Sequence, residues 1–429
     1  MLKTAALLLS GVGETNPASV EDYIKYGGFK GIRRAVAMTD REILDEIKES
    51  ALLGKGGASY PTGRKWEQLY NIEGDPKYVV CNADEGEPGT YKDRELIKHA
   101  PLRIIEGMLI AGYLFKAKRG IIYIRGEYRN ITDIFAQALE NAQKAGYLGK
   151  NIMGMEGFDY TITIVNGAGS YVCGENSALL NSIESLVSRP RIKPPHLAEV
   201  GLYSKPTLVN NVESYAGVAV LMNIGAQEFK SYGTSTDGGT KLISLSTHIK
   251  NRKTYEIRIG TSLRDIVFDE ELGGGIPDGK EFKFLHIGGQ AGPLCFPEQL
   301  DTRYCYEELK DAGLTVGSGA IAVMDETVCL VDYVKHVMSF FAYESCGKCT
   351  PCRIGTTRIL ELLTKFTTGK AVPGDLDRLE DLSIHVARLS LCGLGQAAST
   401  AMDSALKYRR DEFIAHTRGV CPAGTCKMD

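Results

Sequence analysis

No run of the 429 residues comes near the roughly 18 consecutive apolar positions that a membrane-spanning helix needs. The best candidate, 102–115, is broken by Arg103 and Glu106. A surplus of one charge is missing too. The 50 Lys+Arg stand against 53 Asp+Glu, so a net charge of −3 leaves no basic excess for nucleic acid. A secretory leader is lacking in outline: Lys3 precedes only the short apolar run 5–9, against an h-region of about 7–15, and no small-residue cleavage site follows. We expect a cytoplasmic protein with no direct membrane span. No repeat period stands out, and there is no low-complexity block. With 43% hydrophobic and 24% charged residues the composition is that of a globular protein, and the length suits two to four domains of about 100–200 residues. The 11 cysteines are odd in number and spread through a large chain. In a reducing compartment they read as metal ligands and core thiols, not as a disulfide framework.

The first 230 residues alternate helical and strand-like patterns. Thr39 with Glu42 forms a capping box opening a helix that runs to about Leu53. Strands are expected at 78–81, 120–125 and 158–165. A buried helix is expected at 102–116, and another runs from an Asn130 cap to Ala145. This alternation predicts an α/β layer fold. The Gly/Ser/Thr-rich stretch 231–240 reads as a linker. Strands at 241–249 and 255–260, a helix at 262–272 and a strand at 282–287 then make a small α+β module. From 328 the pattern is helical, with segments near 328–344, 353–368, 375–391 and 396–416 that suggest a four-helix bundle. The domains expected are therefore 1–235, 240–325 and 328–429.

The sharpest signal is Cys346-Gly-Lys-Cys349-Thr-Pro-Cys352, with Cys392 forty residues on. Three thiolates at C-x2-C-x2-C spacing wrap three corners of an iron–sulfur cube, and a distant fourth closes it. Zinc usually takes its cysteines in pairs, and buried free thiols are the bland alternative. A [4Fe–4S] electron carrier is the expectation. In Leu391-Cys392-Gly393-Leu394-Gly395 the glycines would let main chain approach the sulfides.

The loop Gly54-Lys55-Gly56-Gly57-Ala58-Ser59-Tyr60 leads into Pro61-Thr62-Gly63-Arg64-Lys65-Trp66. Adjacent glycines can turn several N–H groups toward one anion, with Lys55 or Lys65 as counter-charge; a surface connection is the alternative. After the 78–81 strand comes Asn82-Ala83-Asp84-Glu85-Gly86-Glu87, and a second turn holds Tyr171-Val172-Cys173-Gly174-Glu175. Asn210-Asn211 offers two amides for a heterocycle edge. At the carboxyl ends of strands such groups sit where α/β folds bind ligands; elsewhere they are solvated turns.

Taken in order, these motifs resemble the NADH-binding flavoprotein subunit of respiratory complex I and its soluble relatives in NAD-linked [FeFe]-hydrogenases and formate dehydrogenases. The resemblance runs from about residue 15 to the C-terminus. It implies a Rossmann-like FMN and NADH domain, a ubiquitin-like β-grasp module and a helical [4Fe–4S] domain. It further implies that Gly54, Gly56, Gly57, Lys65, Asn82, Asp84, Gly174, Asn210 and Asn211 serve FMN, with Lys55 also among the cofactor-binding residues. Glu85, Glu87, Tyr171 and Glu175 would lie beside flavin or nicotinamide, Tyr60 would stack on adenine, and Lys193 would contact NADH. The implied cofactors are FMN, a [4Fe–4S] cluster and NAD(H), and no side chain need be catalytic. Four positions depart from the family pattern. Lys55 stands for an arginine, Ser59 for a glycine, Tyr60 for a phenylalanine and Asn176 for a second glutamate, which bears on the choice between NADH and NADPH.

His416, Cys421 and Cys426 are spaced H-x4-C-x4-C, and Cys329 lies upstream. One histidine and three cysteines would complete a zinc site; a frayed tail with idle thiols is the other reading. The ending resembles the hydrogenase and formate dehydrogenase branch. That branch implies a small [2Fe–2S] partner subunit and an iron–sulfur-rich catalytic subunit. The rival readings are the same module within membrane complex I and a flavin-free scaffold that keeps the fold.

Overall fold

Four parallel strands form the first sheet of the computed structural model, which describes residues 4–428; Lys3, read above as part of the N-terminal run, lies outside the described residues. The strands are β1 (Tyr78–Ala83), β2 (Arg119–Ile124), β3 (Thr161–Asn166) and β4 (Thr207–Asn211), in the order β3-β2-β1-β4. Central β1 is buried at every position but Asn82, as a parallel strand covered on both faces should be. Its register sets Cys81 beside Asn210 and Asn82 beside Asn211. The strand order reverses between β1 and β4. In an open α/β sheet, that switch point at the carboxyl ends is where ligands bind.

Two helices, Pro101–Leu114 and Val212–Ile224, pack on this sheet and are buried almost all round. Pro101 occupies the first helical position, where its missing N–H costs nothing. The core also takes Phe29, Trp66, Phe135 and Tyr215, each fully buried; burying one such side chain contributes roughly 1.5–3 kcal/mol. The Thr39–Glu42 capping box is present, but its helix is Asp40–Glu49 and ends short of Leu53, because the chain turns at Ala51 (φ +53). Asn130 is not a cap. The helix Arg129–Lys144 begins one residue earlier behind Tyr128, whose hydroxyl is held by Glu85 at 3.0 Å. The helix Thr62–Tyr70 went unread because the glycine loop before it dominated the pattern.

The chain divides into two compact units. One takes the chain up to Gly86, Thr90–Ile243 and Thr254–Thr261; the other takes Glu87–Gly89, Ser244–Lys253 and everything from Ser262. The remaining strands are β5 (Thr240–Thr247), β6 (Thr254–Arg258), β7 (Phe282–Ile287), β8 (Leu294–Cys295) and β9 (Ala320–Asp325). In the second unit β5 runs parallel to β9 through Ser244–Thr247, while β7 runs antiparallel to β9 and β8. The pattern reading missed the two-residue β8 and also β9. The helix expected at 262–272 is only Leu263–Phe268; Ser262 caps it, and extended Asp269 ends it. The four long C-terminal helices are Leu330–Glu344, Thr350–Thr367, Pro373–Leu389 and Thr400–Thr417, with a short Gly393–Ala397 between the last two. Among the described residues no helix is long and apolar enough to cross a membrane.

Candidate functional site

The glycine loop closes on itself at the β1/β4 switch point. Gly54 N–H donates to Tyr60 O at 2.9 Å, and a Cβ on Gly56 would lie 3.1 Å from Cβ of Asn211, so the loop's main chain rests on the end of β4. Gly57 sits at φ +118. Ser59 holds φ +50, the left-handed region that a residue with a Cβ enters at a cost of roughly 1–2 kcal/mol. Tyr60 is 41% exposed, steadied by Gln68 Nε2 donating to its hydroxyl at 2.9 Å.

The two lysines of the loop region have different fates. Lys55 is buried, and its ammonium pairs with Asp237 at 3.4 Å. Lys65 has no carboxylate partner among the described residues. Its Nζ donates to Val209 O at 2.8 Å; burial, then the charge of Lys193, pull its pKa down to about 8. The helix that carries it, Thr62–Tyr70, starts behind Pro61 with no side-chain cap. Thr62 Oγ1, buried there, has no hydrogen-bond partner among the described residues. An uncapped helix N-terminus, an orphan hydroxyl and an uncompensated ammonium together fit a phosphate, and so fit FMN.

The amides beside the loop are held from behind. Asn82 Nδ2 donates to Gly174 O (2.8 Å) and Asn176 Oδ1 (3.1 Å), and its Oδ1 accepts from Asp84 N–H (3.1 Å). A Cβ on Gly174 would stand 3.3 Å from Asp84 O. Asn211 Nδ2 donates to Asp93 Oδ2 (2.6 Å), while its Oδ1 accepts from Lys92 Nζ (3.1 Å) and from Glu213 N–H (3.0 Å). Asn210 is turned to accept from the Trp66 indole N–H at 3.1 Å. Behind these amides lies an ionic network that the sequence reading missed. Lys92 pairs with Asp93 (2.6 Å) and Glu213 (3.1 Å), and Lys241 with Glu213 (2.5 Å), all with side chains no more than 5% exposed. Burial would deprotonate Lys92, but the charges of Asp93, Glu213 and Glu85 outweigh it and push its pKa up. Tyr91-Lys92-Asp93-Arg94 looks like a solvated face in sequence, and only long-range packing buries it.

Among the acidic candidates, Glu85 caps the helix Lys92–His99, accepting from Asp93 N–H (2.8 Å) and Arg94 N–H (3.1 Å). Burial and the charge of Asp93 raise its pKa to about 7. Glu87 belongs to the second unit, where its carboxylate accepts from Gln290 N–H at 2.5 Å. Tyr171 opens the turn Tyr171–Gly174, its ring 3.3 Å from where a Gly86 Cβ would be. Glu175 caps the helix Asn176–Ile183 and also takes Lys193 Nζ at 3.0 Å. The structure thus brings the glycine loop, Lys65, Asn82, Asp84, Gly174, Asn210 and Asn211 around the switch point. It turns Lys55, Glu85 and Glu87 to other partners.

In the second unit Cys349 sits at the N-cap of the helix Thr350–Thr367 and Cys352 in its first turn, with Cys346 in the preceding loop. Cys392 precedes the short helix Gly393–Ala397. Burial, and then the charges of Cys349, Cys392 and Cys346, push the Cys352 thiol up to about 11, with a Ser345 hydrogen bond pulling the other way. The other three cysteines are thus near enough for their charges to act on Cys352, a repulsion that bound iron would relieve. Leu391 N–H donates to Cys349 Sγ at 3.5 Å, and Ser345 Oγ lies 3.2 Å from Cys352 Sγ. The Leu391 and Ser345 contacts fit the hydrogen bonding that cluster-ligating sulfurs take. Gly393 has open space beside it, whereas Gly395 is pressed against Cys352 and Ser390.

The tail cysteines are gathered as well. Ligand atoms of Cys329, His416, Cys421 and Cys426 all lie within 4.8 Å of one another. His416 Nδ1 bonds Glu412 O at 2.7 Å, which leaves Nε2 facing Cys329 Sγ at 3.4 Å. Burial of Cys421 is outweighed by the Cys426 and Thr425 main-chain N–H groups, which draw its pKa down to about 6.

A nucleotide-type crevice at a switch point and a separate four-thiol centre define a flavin- and iron–sulfur-binding oxidoreductase component. Residues 47–220 match the Nuo51 FMN-binding domain, and 332–416 match the NADH-ubiquinone oxidoreductase-F iron-sulfur binding region. The chain is 42% identical over 415 residues to the HndC component of the NADP-reducing hydrogenase of Solidesulfovibrio fructosivorans, covering 96% of this chain and 84% of that protein. It is 41% identical over 410 residues to the F component of the NADH-quinone oxidoreductase of Streptomyces coelicolor, covering 95% and 90%. Among solved structures it resembles an NAD+-reducing [NiFe]-hydrogenase in the H2-reduced state, with a TM-score of 0.83 at 31% identity. That match covers 95% of this chain and 66% of the other. The chain belongs to the family of NADH-binding, FMN- and [4Fe–4S]-carrying electron-entry subunits that includes these proteins.

Proposed function

We propose that this chain is the electron-entry subunit of a soluble, cytoplasmic hydrogenase or formate dehydrogenase, exchanging hydride with NAD(H) and single electrons with its cluster. When bound, FMN supplies the conversion between a hydride pair and the single electrons that an iron–sulfur cluster carries. The protein's part is to seat and orient. Lys65, Thr62 and the N-terminus of the helix they share would take the FMN phosphate. Asn82 and Asn211, fixed by Gly174 and by the Lys92–Asp93 pair, would orient the ring edge. Tyr60 would stack on adenine, and the Glu175–Lys193 pair would meet the nucleotide. Cys346, Cys349, Cys352 and Cys392 would hold the cluster. On this reading residues 1–235 serve flavin and nucleotide, 240–325 are the ubiquitin-like module, and 328–429 carry the cluster.

The observation favouring the hydrogenase branch is the gathering of Cys329, His416, Cys421 and Cys426, a closed four-ligand set suited to a structural zinc. The partners would be a small [2Fe–2S] subunit and an iron–sulfur-rich catalytic subunit. Membership of a membrane NADH dehydrogenase is the second reading, favoured by the 41% identity to a component of an NADH-quinone oxidoreductase. Anaerobic isolation of the native complex separates the two. Hydrogenase or formate dehydrogenase subunits, with H2- or formate-dependent NAD+ reduction, would support the proposal; membrane-pump subunits would replace it.

A further inference from the structure

Ser390 stands two residues before Cys392 and is 5% exposed. Its hydroxyl is one of the few buried side-chain oxygens with no hydrogen-bond partner among the described residues. A buried hydroxyl left unpaired costs roughly 1–3 kcal/mol. Its place in the fold shows what would pair it. A Cβ on Gly395 would lie 2.4 Å from Ser390 Oγ and 2.9 Å from Cys352 Cβ, so the hydroxyl and the cysteine stem press on one small space that only a glycine leaves open. The next residue, Leu391, already donates its N–H to Cys349 Sγ. Ser345 is within bonding distance of Cys352 Sγ.

We propose that Ser390 Oγ–H donates a hydrogen bond to the sulfur shell of the [4Fe–4S] cluster, a cluster thiolate or an inorganic sulfide, and thereby sets its potential. The inference rests on the assignment of Cys346, Cys349, Cys352 and Cys392 to that cluster. Reduction takes place at iron and raises the negative charge that the thiolates and sulfides carry. A hydrogen bond there favours the reduced form, and its loss makes the cluster harder to reduce. Ser390 acts as a positioning and tuning residue; it transfers nothing itself.

The test is an anaerobic redox titration of the complete chain, followed by the paramagnetic signal of the reduced cluster, for wild type, S390A and the shape-matched pair S390T and S390V. S390A and S390V are expected to shift the one-electron equilibrium toward the oxidised cluster about five- to tenfold, roughly 40–60 mV at 59 mV per decade, while S390T keeps the wild-type potential. Loss of the cluster in S390A and S390V but not in S390T would support the hydroxyl's role equally. A wild-type potential in S390A, or equal shifts in S390T and S390V, would overturn it. Fewer than four irons and four sulfides in the wild-type centre would instead bring down the cluster assignment.

Discussion

Replacing Lys65 by methionine should make the flavin-depleted chain more stable and its hold on FMN weaker. In the unliganded pocket its ammonium is half-buried, with one carbonyl partner and a second lysine charge nearby. A pKa of about 8 against the ordinary 10.5, at about 1.4 kcal/mol per pH unit, places roughly 3 kcal/mol against the charged native form. Methionine removes that penalty and gives up the bond to Val209 O, worth about 1 kcal/mol, so a net gain of about 1–2 kcal/mol is expected at pH 7. The phosphate loses a charge-assisted hydrogen bond of about 1.5–3 kcal/mol, which weakens FMN binding about 10- to 150-fold. The pH dependence carries the same signature. Below pH 8 the lysine is protonated in both folded and unfolded chains and the penalty is constant. Between about pH 8 and 10.5 only the unfolded chain keeps the proton, so the stability of the wild-type flavin-free protein rises relative to the methionine variant. Urea unfolding at pH 7, 9 and 10, with FMN titration by fluorescence, measures both effects. A variant less stable at pH 7 with unchanged FMN affinity would refute the reasoning.

Three further outcomes follow from the geometry. Ser59→Gly relieves the left-handed backbone at φ +50 and should stabilise the chain by about 0.5–1 kcal/mol, read by thermal unfolding; destabilisation would show that the Ser59 side chain itself matters. Asp93→Asn breaks a buried pair with Lys92 and frees Asn211. A loss of about 3–5 kcal/mol by chemical unfolding is expected, with poor FMN retention, and a loss under 1 kcal/mol would mean the network is hydrated. One zinc per chain is expected by elemental analysis. C421S should lower it and raise the tail's sensitivity to proteolysis, whereas zinc-free wild-type protein of full stability would leave the four-ligand set idle.

Much of this was legible in residues whose chemistry is local. The Cys346–Cys352 spacing, the Thr39–Glu42 box and the order of strand and helix patterns can each be read within a few positions. The charged residues behind the crevice could not. Lys55 and Lys65 look interchangeable in sequence, yet one finds Asp237, 182 residues away, and the other finds no carboxylate among the described residues. Glu85 reads in sequence as a ligand-facing acid; that it also holds the N-terminus of a helix beginning seven residues later shows only in the fold. Ser390 gives no pattern at all; only burial without a partner marks it. The tail reads equally as zinc site or loose end until His416 Nε2 is seen 3.4 Å from Cys329 Sγ.

The central claim is that nucleotide electrons enter this chain through flavin and leave through its cluster. Anaerobic titration of the purified holoprotein with NADH, and with NADPH in parallel, tests it directly through absorbance of the flavin and iron–sulfur chromophores. The account predicts that flavin bleaches on NADH addition and the cluster is reduced after it. Protein that carries iron but no flavin, or bound flavin that neither nucleotide reduces even with the native partners restored, would contradict it.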